Sequence, residues 1–240
     1  MKKKIAIVKL GHIDHLLNID KIKNWSSSLF EIVHIHCIDY LPDSDVEDGY
    51  LDKKYTRNGL SEKMKCPTDC DYAIGIMRYR FEDNFYLHRI NKKCGVISLN
   101  GIEDILRKES ISLENFIIKQ IYEIVALTHL VGDMSSDEVY KYVHLDTRGC
   151  LFDMNGERTD ILYNTEKPII CDSCREAFRK QQINSDVVKK LERELPKIRK
   201  PFIISIEKKI KKYPLLSVII SALVPITLSI IANLICELIE

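Results

Sequence analysis

The sequence has little glycine and proline, with 9 Gly and 7 Pro among 240 residues. It also lacks an internal repeat with a period of roughly 20–50 residues. Collagen-like, low-complexity and solenoid proteins are therefore excluded. Hydrophobic residues make up 45% of the chain and charged residues 30%. This composition excludes a chain that is disordered throughout, because enough apolar side chains are present to form a core.

The sequence also lacks an excess of charge of either sign. Lys and Arg total 36 against 35 Asp and Glu, which gives a formal net charge of +1. Dedicated nucleic-acid-binding domains are usually strongly basic. We therefore expect no nucleic-acid partner. The abundance of lysine and isoleucine is typical of a low-GC bacterial genome.

Long hydrophobic runs are absent except for one. Residues 215–239 have the sequence LLSVIISALVPITLSIIANLICELI, in which Glu237 is the first ionised residue. About 20 apolar residues suffice to span a bilayer core about 30 Å thick. Pro225 is tolerated in a membrane helix, although it would break a soluble one. The run therefore predicts a transmembrane helix over 214–239, with a buried soluble helix as the alternative.

The flanks of this run predict its orientation. Lys208, Lys209, Lys211 and Lys212 precede it, and lysine clusters remain on the cytoplasmic side of a membrane. The N-terminal apolar run IAIV is too short for a signal peptide. We therefore expect a single-pass, tail-anchored protein of the inner (cytoplasmic) membrane with most of the chain in the cytoplasm. Self-association within the membrane stays open, because serine, threonine and asparagine occur in the span.

Apolar residues alternate or cluster in a pattern of short strands and one long helix. The alternation of strands with helices predicts an α/β (α+β) fold with a mixed twisted sheet and packed helices. We expect a globular domain over 1–178, an amphipathic, basic helical linker over 179–213 and the membrane helix beyond. The predicted strands are 4–9, 31–38, 71–77 and 94–99, and the predicted helices are one within 11–30, 59–64, 113–131 and 174–200 with an interruption at Pro196.

The cysteine pattern predicts a structural zinc site in a loop over 144–174. In a reducing cytosol, cysteines are metal ligands or free thiols rather than disulfides. Cys171 and Cys174 form a CxxC pair that can present two thiolates to one tetrahedral Zn²⁺, and Cys150 lies within the spacing of a third ligand. His144 and Asp153 are alternative fourth ligands. Three buried cysteines without metal are the competing interpretation.

Other cysteine and histidine pairs give a weaker signal. Cys66 and Cys70 lack a partner pair and are interpreted as part of a loop before a strand. His34 and His36 alternate on one face of a predicted strand. A histidine on a strand is more often an ordinary surface or core residue than a metal ligand.

The order of these features resembles the archaemetzincin family of zinc metalloproteases. His144 lies where the third histidine of the family signature falls, and Cys150, Cys171 and Cys174 follow at nearly the family spacing. The resemblance implies a metzincin-like fold that retains a cysteine-bound zinc. It extends over about residues 5–178 and includes HIDHLL (12–17), LPD (41–43), YTRNGL (55–60) and NFYLHRINKKCGVISLNGI (84–102).

The helix that carries the family signature HExxHxxG departs from it. Glu123 falls at the position of the general base, but Tyr122 and Ala126 replace the two histidines. Two imidazoles at i and i+4 on one helix face are what hold a catalytic zinc. Leu145 also replaces a family cysteine. The resemblance therefore implies an inactive protease site, with Glu123 as a vestigial base or an ordinary ion-paired side chain.

These features predict a membrane-anchored, catalytically inactive binding or regulatory module at the cytoplasmic face. Its cleft would take a peptide or protein partner, because a groove beside an edge strand can bind an extended peptide. One alternative is a membrane effector of a bacterial defence or toxin system, in which the C-terminal helices assemble. Another is an atypical zinc metallopeptidase that uses Glu123 as its base.

Overall fold

The computed structural model describes residues 2–41, 53–134, 137–145, 147–199 and 202–239. The chain divides into two compact units, Met1–Arg199 and Lys200–Glu240. The first unit contains the sheet, the long helix and the cysteine loop. The predicted segment LPD falls mostly outside the described residues, because only Leu41 is included.

The first unit is built on a five-stranded mixed sheet, which confirms the predicted mixed α/β class. Its strand order is β2-β1-β4-β7-β6, and only β6 is antiparallel to its neighbour. A separate parallel pair joins β3 and β5. The strands are β1 (Lys3–Leu10), β2 (Phe30–Ile38), β3 (Lys54–Tyr55), β4 (Tyr72–Met77), β5 (Arg80–Phe81), β6 (Leu87–Arg89) and β7 (Cys94–Ser98).

The central strands are buried because helices or loops cover both faces of the sheet. Along β1, Ile5 and Ile7 pack into one apolar cluster, whereas Ala6 and Val8 pack into the other. Parallel strands covered on both faces have nearly continuous apolar sequences. This explains why the strands containing IAIV and YAIGIM were predicted from the sequence.

The long helix α4 spans Leu113–Val131 and confirms the prediction for 113–131. The Ser112 side chain caps its start by accepting a hydrogen bond from the Asn115 amide, and Gly132 with positive φ ends it. Nearly every side chain of α4 is buried, including Lys119 and Glu123. A helix that is buried on all sides lies within the core rather than on the surface.

The other helices differ more from the sequence predictions. The helix expected between 11 and 30 is only five residues long, and the segment expected to be helical over 174–200 is divided into two helices and a 3-10 turn at Leu195–Lys197. The strand β6 and the helix α3 were not predicted. The helices are α1 (Ile19–Lys23), α2 (Arg57–Lys63), α3 (Ile102–Lys108), α5 (Ile161–Glu166), α6 (Asp172–Lys180) and α7 (Ser185–Glu194).

Glu194, at the end of α7, joins this helix to the start of β2 and to α4. Its carboxylate accepts hydrogen bonds from the hydroxyls of Ser27 and Tyr122 at 2.6 and 2.8 Å, and from the amide and hydroxyl of Ser28. Tyr122 also accepts a hydrogen bond from the Trp25 indole at 2.9 Å. Tyr122 is therefore a buried residue that packs and hydrogen-bonds between α4, Trp25 and α7.

The second unit consists of α8 (Phe202–Lys212) and α9 (Pro214–Ile239), with Pro225 inside α9. Among the residues described, no helix has both the length and the apolar character needed to cross a membrane. This finding does not support the predicted transmembrane helix over 214–239. Apolar side chains of α9 are exposed at many positions, among them Val218, Ile219, Leu223, Val224, Ile226, Leu228, Ile230 and Ile231.

Candidate metal centre

The loop between α4 and α6 folds back on itself and brings two predicted ligands together. The His144 amide donates to the Phe152 carbonyl at 3.2 Å, and the Met154 amide donates to the His144 carbonyl at 2.9 Å. Cys150 pairs with Ile169 in an isolated bridge. The turn before Cys150 contains Gly149 at φ +88°, a conformation that side chains other than glycine rarely adopt. Backbone geometry therefore positions His144 and Cys150.

The helix α6 supplies the other two predicted ligands. Cys171 is the N-cap residue of α6, and Cys174 lies in its first turn. The CxxC spacing therefore places both sulfur atoms at the helix start. Cys150 and Cys174 are buried, and Cys171 is half-buried.

The four side chains converge with the dimensions of a zinc site. The Cys150 and Cys174 sulfur atoms are 3.7 Å apart, and His144 Nε2 lies 3.2 Å from Cys174 Sγ and 3.4 Å from Cys171 Sγ. With Zn–S near 2.3 Å and Zn–N near 2.0–2.1 Å, tetrahedral ligands have S···S distances of about 3.8 Å and N···S distances of about 3.6 Å. The four donors can therefore bind a metal ion, and the donor set is consistent with zinc.

The local environment favours a thiolate at Cys150. A hydrogen bond from Cys174 and the backbone amides of Phe152 and Cys171 hold the pKa of Cys150 below its ordinary value. The same sulfur–sulfur contact, together with burial, raises the pKa of Cys174. A metal ion binds thiolates and favours deprotonation of every coordinating thiol.

The group of converging donors contains His144 and not Asp153. Asp153 Oδ1 instead accepts a hydrogen bond from the Asn155 amide at 2.9 Å, and burial raises the pKa of its carboxyl group. His144 Nδ1 is buried and has no hydrogen-bond partner among the residues that the structure describes. With Nε2 as the ligand atom, the neutral ring would carry its proton on Nδ1. The geometry thus favours His144 over Asp153 as the fourth ligand.

Glu123 lies at a different place, a pocket of about 240 Å³ between β6, α4 and the cysteine loop. Its carboxylate accepts a hydrogen bond from Lys119 Nζ at 2.8 Å, and the Lys119 side chain is completely buried. Among the described residues, Glu123 belongs to no group of donors that could hold a metal. The other residues lining the pocket are Arg57, Asp83, Phe85, Tyr86, Leu87, His88, Arg89, Tyr140, Val143 and Met154.

A buried polar chain links this pocket to the cysteine loop. Tyr86 Oη accepts a hydrogen bond from Asn155 Nδ2 at 2.8 Å, and Asn155 Oδ1 accepts one from Asn164 Nδ2 at 2.9 Å. Burial and the neighbouring Glu123 raise the pKa of Tyr86, so its phenol stays protonated. Lys119, Tyr86 and Asn155 were not identified from the sequence. A pair of opposite charges at i and i+4 within a largely apolar helix was the available signal for Lys119.

No protein-family model matches this sequence, and no curated protein matches it. Two solved structures are similar to the chain, and both are archaemetzincins. The one from Methanopyrus kandleri has 10% identity and a TM-score of 0.46, with 76% of this chain and 97% of that protein covered. The one from Archaeoglobus fulgidus, complexed with malonate, has 16% identity and a TM-score of 0.36, with 72% and 99% covered.

Proposed function

We propose that the first unit is a zinc-stabilised, non-catalytic module that binds an extended acidic peptide beside β6. The main support for a non-catalytic module is the ion pair between Glu123 and the fully buried Lys119 at the pocket. A general base needs a carboxylate that is free to take a proton from water. Glu123 is instead paired with a buried ammonium group, and within the described ranges it belongs to no group of donors that could hold a metal ion.

The edge strand β6 supplies the backbone for such a peptide. It pairs with β7 through His88 opposite Val96, with Leu87 and Arg89 on either side. In an antiparallel pair, alternate residues direct their backbone groups toward the same neighbour. The Ser98 amide donates to the Tyr86 carbonyl, and the Ile90 amide donates to the Cys94 carbonyl. The backbone N–H and C=O groups of Leu87 and Arg89, which alternate with these residues, therefore point away from β7. A peptide strand added here would hydrogen-bond to the outward backbone groups of Leu87 and to the Arg89 amide, because the Arg89 carbonyl already accepts a hydrogen bond from Arg57.

The charges around the pocket favour an acidic side chain. The two carboxylates on its wall already have partners, because Asp83 pairs with His88 at 2.8 Å and Glu123 pairs with Lys119. Arg57 donates to the Arg89 carbonyl, and the Arg89 guanidinium lies over the Tyr140 ring. Neither arginine forms an ion pair within the described part of the chain. A pocket of about 240 Å³ accommodates one side chain, and a carboxylate matches the guanidinium groups.

We expect the full-length chain in detergent to bind a decapeptide with one central glutamate more tightly than the same peptide with glutamine. The probes are fluorescein-labelled decapeptides measured by fluorescence polarisation. Arg89→Gln is expected to weaken binding of the glutamate peptide by about tenfold or more, because a charge-assisted hydrogen bond contributes about 1.5–3 kcal/mol. High salt should reduce the affinity of the wild-type chain more than that of the variant.

Arg179→Gln is the matched control, because Arg179 is an exposed arginine on α6 whose side chain pairs with Glu176. It should leave peptide affinity unchanged. Equal affinity for the glutamate and glutamine peptides would contradict the proposal. Peptide cleavage that depends on zinc and disappears in Glu123→Gln would support the metallopeptidase instead.

We also propose that α9 attaches the chain to a membrane, which supports action at the cytoplasmic face. The support is the apolar sequence of 215–236, the exposure of its apolar side chains and the lysines that precede it. Most apolar side chains of a soluble unit are buried, whereas a lipid environment favours this exposure. The orientation follows from the lysine cluster through the positive-inside rule.

The membrane proposal predicts that the full chain resists carbonate extraction from membranes. Replacing Leu223 and Ile230 by aspartate should release it, since each charge at a helix centre costs about 2.5–3.5 kcal/mol for insertion. Ile210→Asp in α8 is the control and should stay membrane-bound. Carbonate extraction of the unmodified chain would contradict attachment by α9.

A further inference from the structure

A second cluster of metal-binding side chains lies on the opposite side of the sheet from α4. His34 is on the edge strand β2, and Asp69 and Cys70 end the loop before β4. In the sheet, His34 is in register with Ala6, and Ala6 is in register with Ala73. Residues in register point to the same face. The small alanine side chains therefore leave space for His34 to reach across β1 toward Asp69.

The three side chains offer one nitrogen, one oxygen and one sulfur donor. His34 Nε2 is 2.6 Å from Asp69 Oδ2, and Cys70 Sγ is 3.9 Å from Asp69 Oδ1. All three donor atoms lie within 4.8 Å of one another. Tetrahedral zinc ligands have N···O distances of about 3.4 Å and O···S distances of about 3.6 Å. The exposed Asp69 side chain would have to move, because its contact with His34 is shorter than the N···O distance between two ligands of one zinc ion.

This cluster differs from the cysteine centre in burial and in ligand number. The side chains of His34 and Asp69 are 40% and 59% exposed, whereas Cys150 is completely buried. Three protein donors leave one position of a tetrahedral ion open to water or another ligand. Asp69 and Cys70 also line a concave region of about 500 Å³, together with Lys92 and Lys93. An ion here would face solvent and would exchange.

We propose that His34, Asp69 and Cys70 form a second, exchangeable site for a divalent cation of the zinc type. A mixed nitrogen, sulfur and carboxylate donor set suits Zn²⁺ and is poorly suited to Mg²⁺ or Ca²⁺, which prefer oxygen ligands. The open position and the neighbouring lysines would accept a small anion as an additional ligand. The site is independent of the cysteine centre and of the peptide-binding proposal.

The test is a metal titration of the full chain in detergent, with zinc content measured by plasma mass spectrometry after dialysis against buffered zinc. The wild-type chain is expected to hold two zinc ions at micromolar free zinc and one after dialysis into zinc-free buffer without chelator. His34→Ala and Asp69→Asn should each abolish the exchangeable ion and retain the other. Titration with Co²⁺ should show a second thiolate-to-cobalt absorption step that is absent in Cys70→Ser.

His36→Ala is the matched control, because His36 lies two residues from His34 on the same face and is outside the cluster. It should retain both ions. His34→Ala and Asp69→Asn alter exposed side chains, so their results do not depend on the tolerance of the buried Cys70 position. A single zinc at every free-zinc concentration, or a second zinc that persists in His34→Ala and Asp69→Asn, would overturn the proposal.

Discussion

Replacing Cys171 by serine is expected to release the tightly held zinc and to lower the melting temperature of the first unit. Structural zinc contributes on the order of 10 kcal/mol of apparent folding free energy in small zinc domains. The five-stranded sheet and α4 have their own apolar core, so the loss should be concentrated in residues 144–178. A loss of about 4 kcal/mol would lower the melting temperature by roughly 8–16 °C in a unit of this size.

The measurement combines zinc content, thermal unfolding and hydrogen exchange on the full chain. Amides of the cysteine loop and α6 should exchange faster in the variant, whereas β1 and β4 should remain protected. Cys37→Ser is the control, because Cys37 is exposed and outside the donor group. The Cys37→Ser chain should have the zinc content and the melting temperature of the wild-type chain. A Cys171→Ser chain that keeps its zinc and unfolds at the wild-type temperature would refute a structural site.

Glu123→Gln is expected to reduce the free energy of unfolding by about 3–5 kcal/mol, because it leaves the buried Lys119 ammonium without its counter-charge. Lys119→Met should cost less, about 1–3 kcal/mol, since the Glu123 side chain retains 8% exposure toward the pocket. Urea denaturation provides both values. Glu123→Gln is expected to cost more because the Lys119 ammonium that it leaves unpaired has no access to water, whereas the Glu123 carboxylate has some.

The double variant Lys119→Met/Glu123→Gln should recover most of the loss, because both charges are removed together. The resulting coupling energy should reach about 2 kcal/mol or more in a double-mutant cycle. Near-wild-type stability of Glu123→Gln would contradict this structural role. Such stability, combined with loss of a zinc-dependent hydrolysis, would identify Glu123 as a catalytic base and overturn the non-catalytic proposal.

Local sequence patterns were sufficient to predict the central strands and α4. The four longest strands differ from the predicted ranges by a residue or two, because buried parallel strands have continuous apolar sequences. The strand β6 was missed because LHR has three residues, two of them polar, and it becomes a strand only by pairing with β7. The helix expected within 11–30 is shorter than predicted, because Asn18 caps its start and it ends at Lys23 with Asn24 as its C-cap.

The candidate metal sites, like the strands and helices, could be predicted only where the signal is local in sequence. The spacing of Cys150, Cys171 and Cys174 was sufficient to predict one metal centre, but it left open whether His144 or Asp153 is the fourth ligand. His144 and Asp153 lie opposite each other in an isolated backbone bridge, and it is His144 that belongs to the group of converging donors. His34 and Asp69 are 35 residues apart in sequence, and only the parallel sheet brings them together. Long-range pairing of this kind has no local signature.

The hydrogen bonds of Glu194 determine how the first unit would carry a mechanical load. The chain leaves this unit at Arg199, whose carbonyl accepts a hydrogen bond from Asn115 at 3.1 Å. Five residues earlier, Glu194 is bound to Ser27, Ser28 and Tyr122. Tension applied from the C-terminal side would therefore reach β2 and α4 before it reached α6 and the cysteine loop. The metal ligands precede Glu194 in the chain and would keep their spacing while tension is applied from the C-terminal side.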